Sequence, residues 1–364
     1  MRILVIADTV FASRERWLLA RLEMGLADEG ESVLQALPRQ VLGTIEGSLF
    51  ARSVGYAPRT FFLARRLAVR RLAHHIRSVL RDEEGGIDIV HVFGGSAWGV
   101  ATGLAKELDA GLVVEVWRSG LCERAAKEWD FGAADAPVLC APDAVTEREL
   151  TRLAPRARVV SVPWGVLPAD ARGVMPSDRA VSIMMVGTGR DSPAFAAALS
   201  GIVAATAGSP ETLLFCDADA ARRADLWKVA RRLNVLDRLS LIEDLEARRD
   251  LVLEGDILVH PEAAGEQRSL LLEAMARAIP VVAARDPRVS LLVEGRTARL
   301  VDGAQARQWE SAVRMLLSDP ESARVLGSAA RDQVREHRRA SSHVRAVLAA
   351  YAAVAATRSG QSKV

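Results

Sequence analysis

Between Ile257 and Ala284 the chain reads ILVHPEAAGEQRSLLLEAMARAIPVVAA, and few folds accommodate that order of segments. A short apolar run, Ile257 to Val259, stops at His260 and Pro261, and a polar turn follows from Glu262 to Arg268. Leu270, Leu271, Leu272, Ala274, Met275 and Ala276 then give a helix that carries Glu273. Pro280 ends it, and Val281 to Ala284 begin a second apolar run. Strand, loop, helix and strand at this spacing make a βαβ unit, with parallel strands and a right-handed crossover. The loop ahead of such a helix lies at the carboxyl ends of the strands, where α/β proteins bind ligands. Unsatisfied amides and the positive helix end favour phosphate there. Arg268 adds charge, Ser269 a hydroxyl, and Glu273, one turn on, an acceptor for sugar hydroxyls. Most such units bind nothing, so the pattern alone leaves ligand binding open.

The same alternation runs along the whole chain. Met1 to Ala7 is a continuous apolar run that fits a central parallel strand, and the DTVFAS that follows has no glycine, which argues against a dinucleotide site there. A helix is expected from Ser13, as its N-cap, to Glu29, then strands at Val33–Leu37, Ile87–Val92, Leu112–Val116, Ala136–Cys140 and Val159–Pro163. Helices are expected at 97–108 and near 143–153. Residues 167 to 180, with Pro168, Gly173 and Pro176, read as a linker. The pattern then restarts, with strands at Val181–Val186, Thr212–Cys216, Leu239–Ile242, Ile257–Val259, Val281–Ala284 and Ala298–Val301. Helices are expected at 220–233 and 245–253, and after Val301 come helices only, at 304–317, 321–337 and 341–356. With 364 residues, two domains of roughly 170 residues are of ordinary size.

The second half opens with VGTGRDSPAF after its first strand. Gly187, Thr188 and Gly189 let a backbone approach a diphosphate, with Arg190 as the charge partner. Asp217-Ala218-Asp219 is a D-x-D, but acids there are better explained as partners of a helix dipole than as cation ligands. The histidines show no ligand spacing, and no Walker loop, G-x-S-x-G or zinc signature occurs. The cysteines Cys122, Cys140 and Cys216 are far apart and read as buried thiols in a reducing compartment. Lys and Arg number 48 against 46 acids, a balance that points to no nucleic-acid partner. No apolar run approaches a membrane span of about 18 residues. The chain begins directly with a strand, so a cytoplasmic protein is expected. Residues 47 to 81 contain no Asp or Glu. Within them Phe62, Val69, Leu72, Ile76 and Val79 form one helical stripe, and Arg66, Arg70, His74, Arg77 and Arg81 another. That is either a helix with a solvated basic face or, over 59–81, a peripheral contact with anionic membrane.

The stretch from Glu273 to Ala276 (EAMA) with Pro280 to Ala283 (PVVA) resembles the donor-site signature of the group 1 (family 4) retaining glycosyltransferases, an E-x7-E motif followed by A-M-A and P-V-V-A. VPWGV at 162–166 and SDPESARVLGSAARDQV at 318–334 resemble two further stretches of that family. The sequence departs from the pattern at the head of the motif: Gly265 stands eight residues before Glu273, and the nearest carboxylate, Glu266, is one place late. Trp117 and Arg118 stand where family members often carry a His, and no Lys follows Arg190 before the next helix.

The resemblance implies an α/β protein of two doubly wound, Rossmann-like domains facing across a cleft (the GT-B fold). Residues 1–166 would form an acceptor-side domain, 167–180 the linker and 181–340 the donor domain, with a C-terminal helix at 341–356 crossing back to the first domain. It implies a metal-independent, retaining, hexosyl-type glycosyltransferase that needs no cofactor. A nucleotide-sugar is its donor substrate and a glycan or lipid-linked hydroxyl its acceptor. Glu266 would face the sugar as the catalytic carboxylate. Gly187, Thr188, Gly189, Arg190, Gly265, Arg268, Ser269, Leu270 and Glu273 would bind the donor, with Glu273 on the ribose. Loops at 10–13, 94–98 and 117–122 would meet the acceptor. The departures leave two alternatives open: a nucleotide-sugar-binding protein without turnover, or a sugar-nucleotide epimerase on the same fold.

Overall fold

The structure, a computed structural model, describes residues 1–42, 50–58, 62–81, 85–175, 179–245 and 247–361. It divides into two compact units, one of Met1–Gly165 with Ala340–Val364 and one of Val166–Arg339.

The first unit is built on a parallel sheet of seven strands among the described residues: β1 (Arg2–Ala7), β2 (Ser32–Pro38), β3 (Ala51–Tyr56), β4 (Ile89–Phe93), β5 (Gly111–Glu115), β6 (Val138–Ala141) and β7 (Arg158–Ser161), in the order β3-β2-β1-β4-β5-β6-β7. Ile3, Leu4, Val5 and Ile6 of β1 are fully buried, as a strand covered on both faces requires. The helix expected from Ser13 is two helices. Asp8, not Ser13, caps the first (Thr9–Arg14) by accepting from the Phe11 amide at 2.8 Å. The chain leaves helical geometry at the buried Glu15, and a second helix runs Arg16–Asp28. β3 went unanticipated because Arg52 and Ser53 interrupt its apolar character at the sheet's edge. The basic helix spans Phe62–Val79 and buries Val69, Leu72, Ala73 and Ile76. Its Arg66, Arg70, His74 and Arg77 are exposed, as is Arg81 just beyond it; positions 59–61 of the expected contact lie outside the described residues. The last helix, Ala340–Gln361, packs on Arg16–Asp28, β5 and β6, burying Val344, Val347, Ala350, Tyr351 and Val354.

The second unit repeats the plan with six strands among the described residues: β8 (Ser182–Met185), β9 (Leu213–Asp217), β10 (Leu239–Ile242), β11 (Ile257–His260), β12 (Val281–Ala284) and β13 (Arg299–Val301), in the order β10-β9-β8-β11-β12-β13. Its core joins Ile183, Met185, Ile257, Val259 and Val282 of the sheet to Phe195, Ile202, Trp309 and Val313 of the flanking helices. The helix expected at 220–233 breaks into Ala218–Arg223 and Leu226–Arg232, because Asp225 adopts a left-handed φ of 53°. Of the helix expected at 245–253 only Arg249–Val252 forms, with position 246 outside the described residues. The segment entering the unit is tied to it: the Val166 amide donates to Arg338 and that of Arg172 to Arg277, both at 2.8 Å. Positions 176–178 of the expected linker are outside the described residues.

At the amino end of β11 the fully buried Asp256 closes this arrangement. It accepts from the Met175 amide (2.8 Å), the Ser182 amide and hydroxyl (2.9 and 3.0 Å), and two Arg179 nitrogens (both 2.7 Å). Burial pushes its carboxyl up, but these donors outweigh that and hold it below the ordinary carboxylate value. Asp256 therefore fixes the start of β8 against β11.

Candidate functional site

In the second sheet β8 lies beside β11, and the chain winds outward from this pair in both directions. The gap at their carboxyl ends is the topological switch point, where an open α/β sheet leaves room for a ligand. Two loops leave it, 186–191 from β8 and 261–268 from β11.

The first loop is organised by a residue of the second. Glu262, 4% exposed, accepts from the Thr188 amide and, at 2.6 Å, its hydroxyl. It also accepts from the Arg190 amide at 2.8 Å and the Asp191 amide at 3.3 Å. Burial alone would raise its carboxyl, but the Thr188 hydroxyl and amide, with the other donors, hold it below the ordinary value. Gly187 and Gly189 make the close approach possible. A Cβ on Gly187 would come within 2.8 Å of a Glu262 oxygen, and one on Gly189, whose φ is +72°, within 2.3 Å of the Ala220 carbonyl. Arg223 donates to the Thr188 carbonyl from the same side. The amides read as phosphate ligands at Thr188 and Arg190 thus already serve an internal carboxylate.

The second loop turns at Gly265, which has a left-handed φ of +64° and donates its amide to the buried Asp286 at 2.5 Å. Asp286 also accepts from Arg288, through its amide at 3.1 Å and its Nε at 3.0 Å. Glu266, 7% exposed, faces the half-exposed Arg190 guanidinium at 3.9 Å, and this pair joins the two loops. A small cavity here is lined by His260, Glu262, Ala264, Glu266, Leu271 and Asp286, among others. His260 holds the Val186 carbonyl at 3.1 Å. Burial, then the Arg268 charge, lower its affinity for a proton, so it is a neutral imidazole at physiological pH.

Arg268 is buried and extended, and as the N-cap of the helix Ser269–Ala276 it makes no capping hydrogen bond through its side chain. Leu270 is buried, so its side chain is closed to a ligand. Glu273 and Ser269 share a partner that sequence reasoning missed. The buried Arg249 donates to the Ser269 hydroxyl at 2.9 Å and to Glu273 at 2.8 Å. Glu273 is thereby an ion-paired carboxylate at the base of the site. Arg249 lies in the segment read as plain helix, and no local signal marks it. Glu262 had one, being an acid two residues past the central strand. Asp217 caps the helix Ala218–Arg223 by accepting from the Ala220 amide at 3.0 Å, the helix-terminal role expected of that acid.

No family model matches the sequence, and no curated protein matches it either. Solved structures do match over nearly the full length. A sucrose-phosphate synthase from Thermosynechococcus elongatus is similar at TM-score 0.73 and 16% identity, covering 98% of this chain and 100% of its own. HepE from Anabaena, in complex with UDP and glucose, is similar at TM-score 0.71 and 13% identity, covering 97% and 100%. A glycosyltransferase from Rickettsia africae gives TM-score 0.70 and 13% identity over 97% and 98%. The fold is GT-B. In this GT-B chain the second sheet repeats the order of the first six strands of the first sheet, and the second unit's switch point carries Glu262, Glu266, Arg190 and Arg268.

Because Glu262 is held below its unfolded value, the folded state binds fewer protons than the unfolded state between those two values. Its stabilisation is full above the ordinary Glu range near pH 4.3 and is lost as pH falls below it. Glu262→Gln should cost about 2–4 kcal/mol at neutral pH. The loss should shrink as acid is added, read by urea unfolding across pH; an unchanged midpoint at pH 7 would contradict this role.

Proposed function

We propose that the chain is a glycosyltransferase that takes a sugar from a nucleotide-sugar and places it on an acceptor hydroxyl. The observation that carries the reading is the convergence, at the second unit's switch point, of a helix start, two arginines and an enclosed carboxylate. The arrangement suits a diphosphate with a sugar attached. Likeness to HepE, whose structures hold UDP, glucose or UDP-glucose, supports the choice of ligand.

The diphosphate sits at the amides of Ser269 and Leu270, between Arg268 and Arg190. In transfer the bond from the anomeric carbon to the diphosphate oxygen breaks, the acceptor oxygen bonds to that carbon, and the acceptor's proton passes to the departing diphosphate. Charge grows on the departing diphosphate, and the guanidinium groups and helix amides stabilise it, an electrostatic contribution that commonly dominates such chemistry. Glu266 lies toward the sugar, and Glu273, oriented by Arg249, toward the ribose. The resemblance at 273–283 adds retention of configuration and independence of metal. Gly265, in place of a carboxylate, favours one second reading, a protein that holds the donor but turns it over poorly.

The acceptor side belongs to the first unit. Leu63 (77% exposed) and Leu67 (51% exposed) stand beside exposed Arg66 and Arg70 on the helix Phe62–Val79. Apolar side chains within a basic stripe suit the surface of an anionic bilayer, where a lipid-linked acceptor would lie. Arg70 also pairs with Glu107 at 3.4 Å, so part of the stripe is used internally. Among the described residues no helix is long and apolar enough to cross a membrane.

Assay of donor hydrolysis and transfer over UDP- and GDP-sugars should find turnover of one donor, and tight binding without turnover would select the second reading. Arg268→Ala should weaken nucleoside diphosphate binding roughly 10- to 100-fold by calorimetry, the loss of one charged hydrogen bond; unchanged affinity would remove the site. Leu63→Asp with Leu67→Asp should abolish co-sedimentation with vesicles containing anionic lipid, and equal sedimentation of variant and parent would reject the membrane contact.

A further inference from the structure

The first unit contains a polar cluster that the proposed reaction does not use. His91 of β4, Glu115 of β5 and Cys140 of β6 are each fully buried, and their ligand atoms all lie within 4.8 Å of one another. They come from neighbouring strands: Phe93 pairs with Glu115, and Glu115 with Cys140. The C-terminal helix covers this part of the sheet. We propose that His91, Glu115 and Cys140 bind a borderline-soft divalent cation, of which Zn²⁺ is the type, beneath the C-terminal helix.

Two orphaned atoms support the assignment. His91 Nε2 and Glu115 Oε2 are both buried and make no hydrogen bond among the described residues. They face each other at 3.8 Å, too far for a hydrogen bond. Two N or O ligands of one tetrahedral Zn²⁺, at bonds of about 2.0–2.2 Å, stand about 3.3–3.5 Å apart, so small side-chain shifts would bring the pair to that separation. Imidazole, carboxylate and thiolate are the donors this ion takes, and with it a carboxylate and a thiolate sum to zero charge, which suits a fully buried site.

The surrounding contacts are those that orient ligands. Tyr351 of the C-terminal helix lies 2.9 Å from His91 Nδ1. In the tautomer where Nδ1–H donates to the Tyr351 oxygen, Nε2 turns its lone pair toward Glu115 and Cys140. The Trp164 indole donates to the other oxygen of Glu115 at 2.7 Å, leaving Oε2 for the cation. A bound ion would fasten three strands together beneath Tyr351, holding the last helix to its sheet.

Full-length protein from zinc-supplemented cells, and protein refolded with Co²⁺, tests this. Plasma mass spectrometry should find about one zinc per chain, and cobalt should give a thiolate-to-metal absorption band. Cys140→Ser and His91→Gln should each lower the zinc to roughly a tenth or less, whereas Cys122→Ser and Cys216→Ser should retain it. Less than roughly a tenth of an equivalent in the parent protein, with no cobalt band, would overturn the assignment, as would full zinc retention in Cys140→Ser. The parent's zinc content and cobalt spectrum decide the matter even if a variant does not fold.

Discussion

The second unit depends on two carboxylates that grip the same pair of strands from opposite ends. Asp256, just before β11, gathers the amide and hydroxyl of Ser182, which begins β8. Glu262, two residues past the end of β11, gathers those that follow β8. A parallel pair alone leaves slanted ladder bonds and loose ends. Here each end is closed by a buried acceptor with several donors, an arrangement that is costly to break because removing the acceptor strands its donors. The loop that follows β8 is therefore shaped before any ligand arrives.

This bears on where a ligand can bind. Amides that already donate to Glu262 cannot also cradle a phosphate. What remains at the switch point is the start of the helix Ser269–Ala276, with Arg268 at its head and Arg190 on the facing loop beside Glu266. The first unit shows the same economy. At its own switch point, between β1 and β4, Asp8 accepts from the Phe11 amide and from the amide and hydroxyl of Ser96. Both sheets thus fill the amide-rich turn after their first strand with an internal carboxylate. In the first unit that acid also caps the following helix.

Much of the fold was legible because its strands are short, continuous apolar runs and its turns carry glycine, proline or acids. The parallel order, the restart after residue 180 and the final helix all follow from such signals. The errors share a cause: local patterns do not report tertiary contacts. The helix break at Glu15 and the left-handed Asp225 interrupt stretches whose helical periodicity runs on. β3 lies at an edge, where its polar residues meet solvent. Of the site, the two loops and Glu273 could be read from the sequence. Glu262's grip on the first loop, Arg249's hold on Ser269 and Glu273, and the grouping of His91, Glu115 and Cys140 could not. Each joins residues that only the sheet order brings together.

Amide hydrogen exchange, with and without UDP, tests the central claim most directly. The amides of Thr188, Arg190 and Asp191 should be protected in the free protein and unchanged by UDP, while those of Ser269 and Leu270 should gain protection on binding. Fast exchange at Thr188, Arg190 and Asp191 that slows only with ligand, and no change at Ser269 and Leu270, would contradict the account.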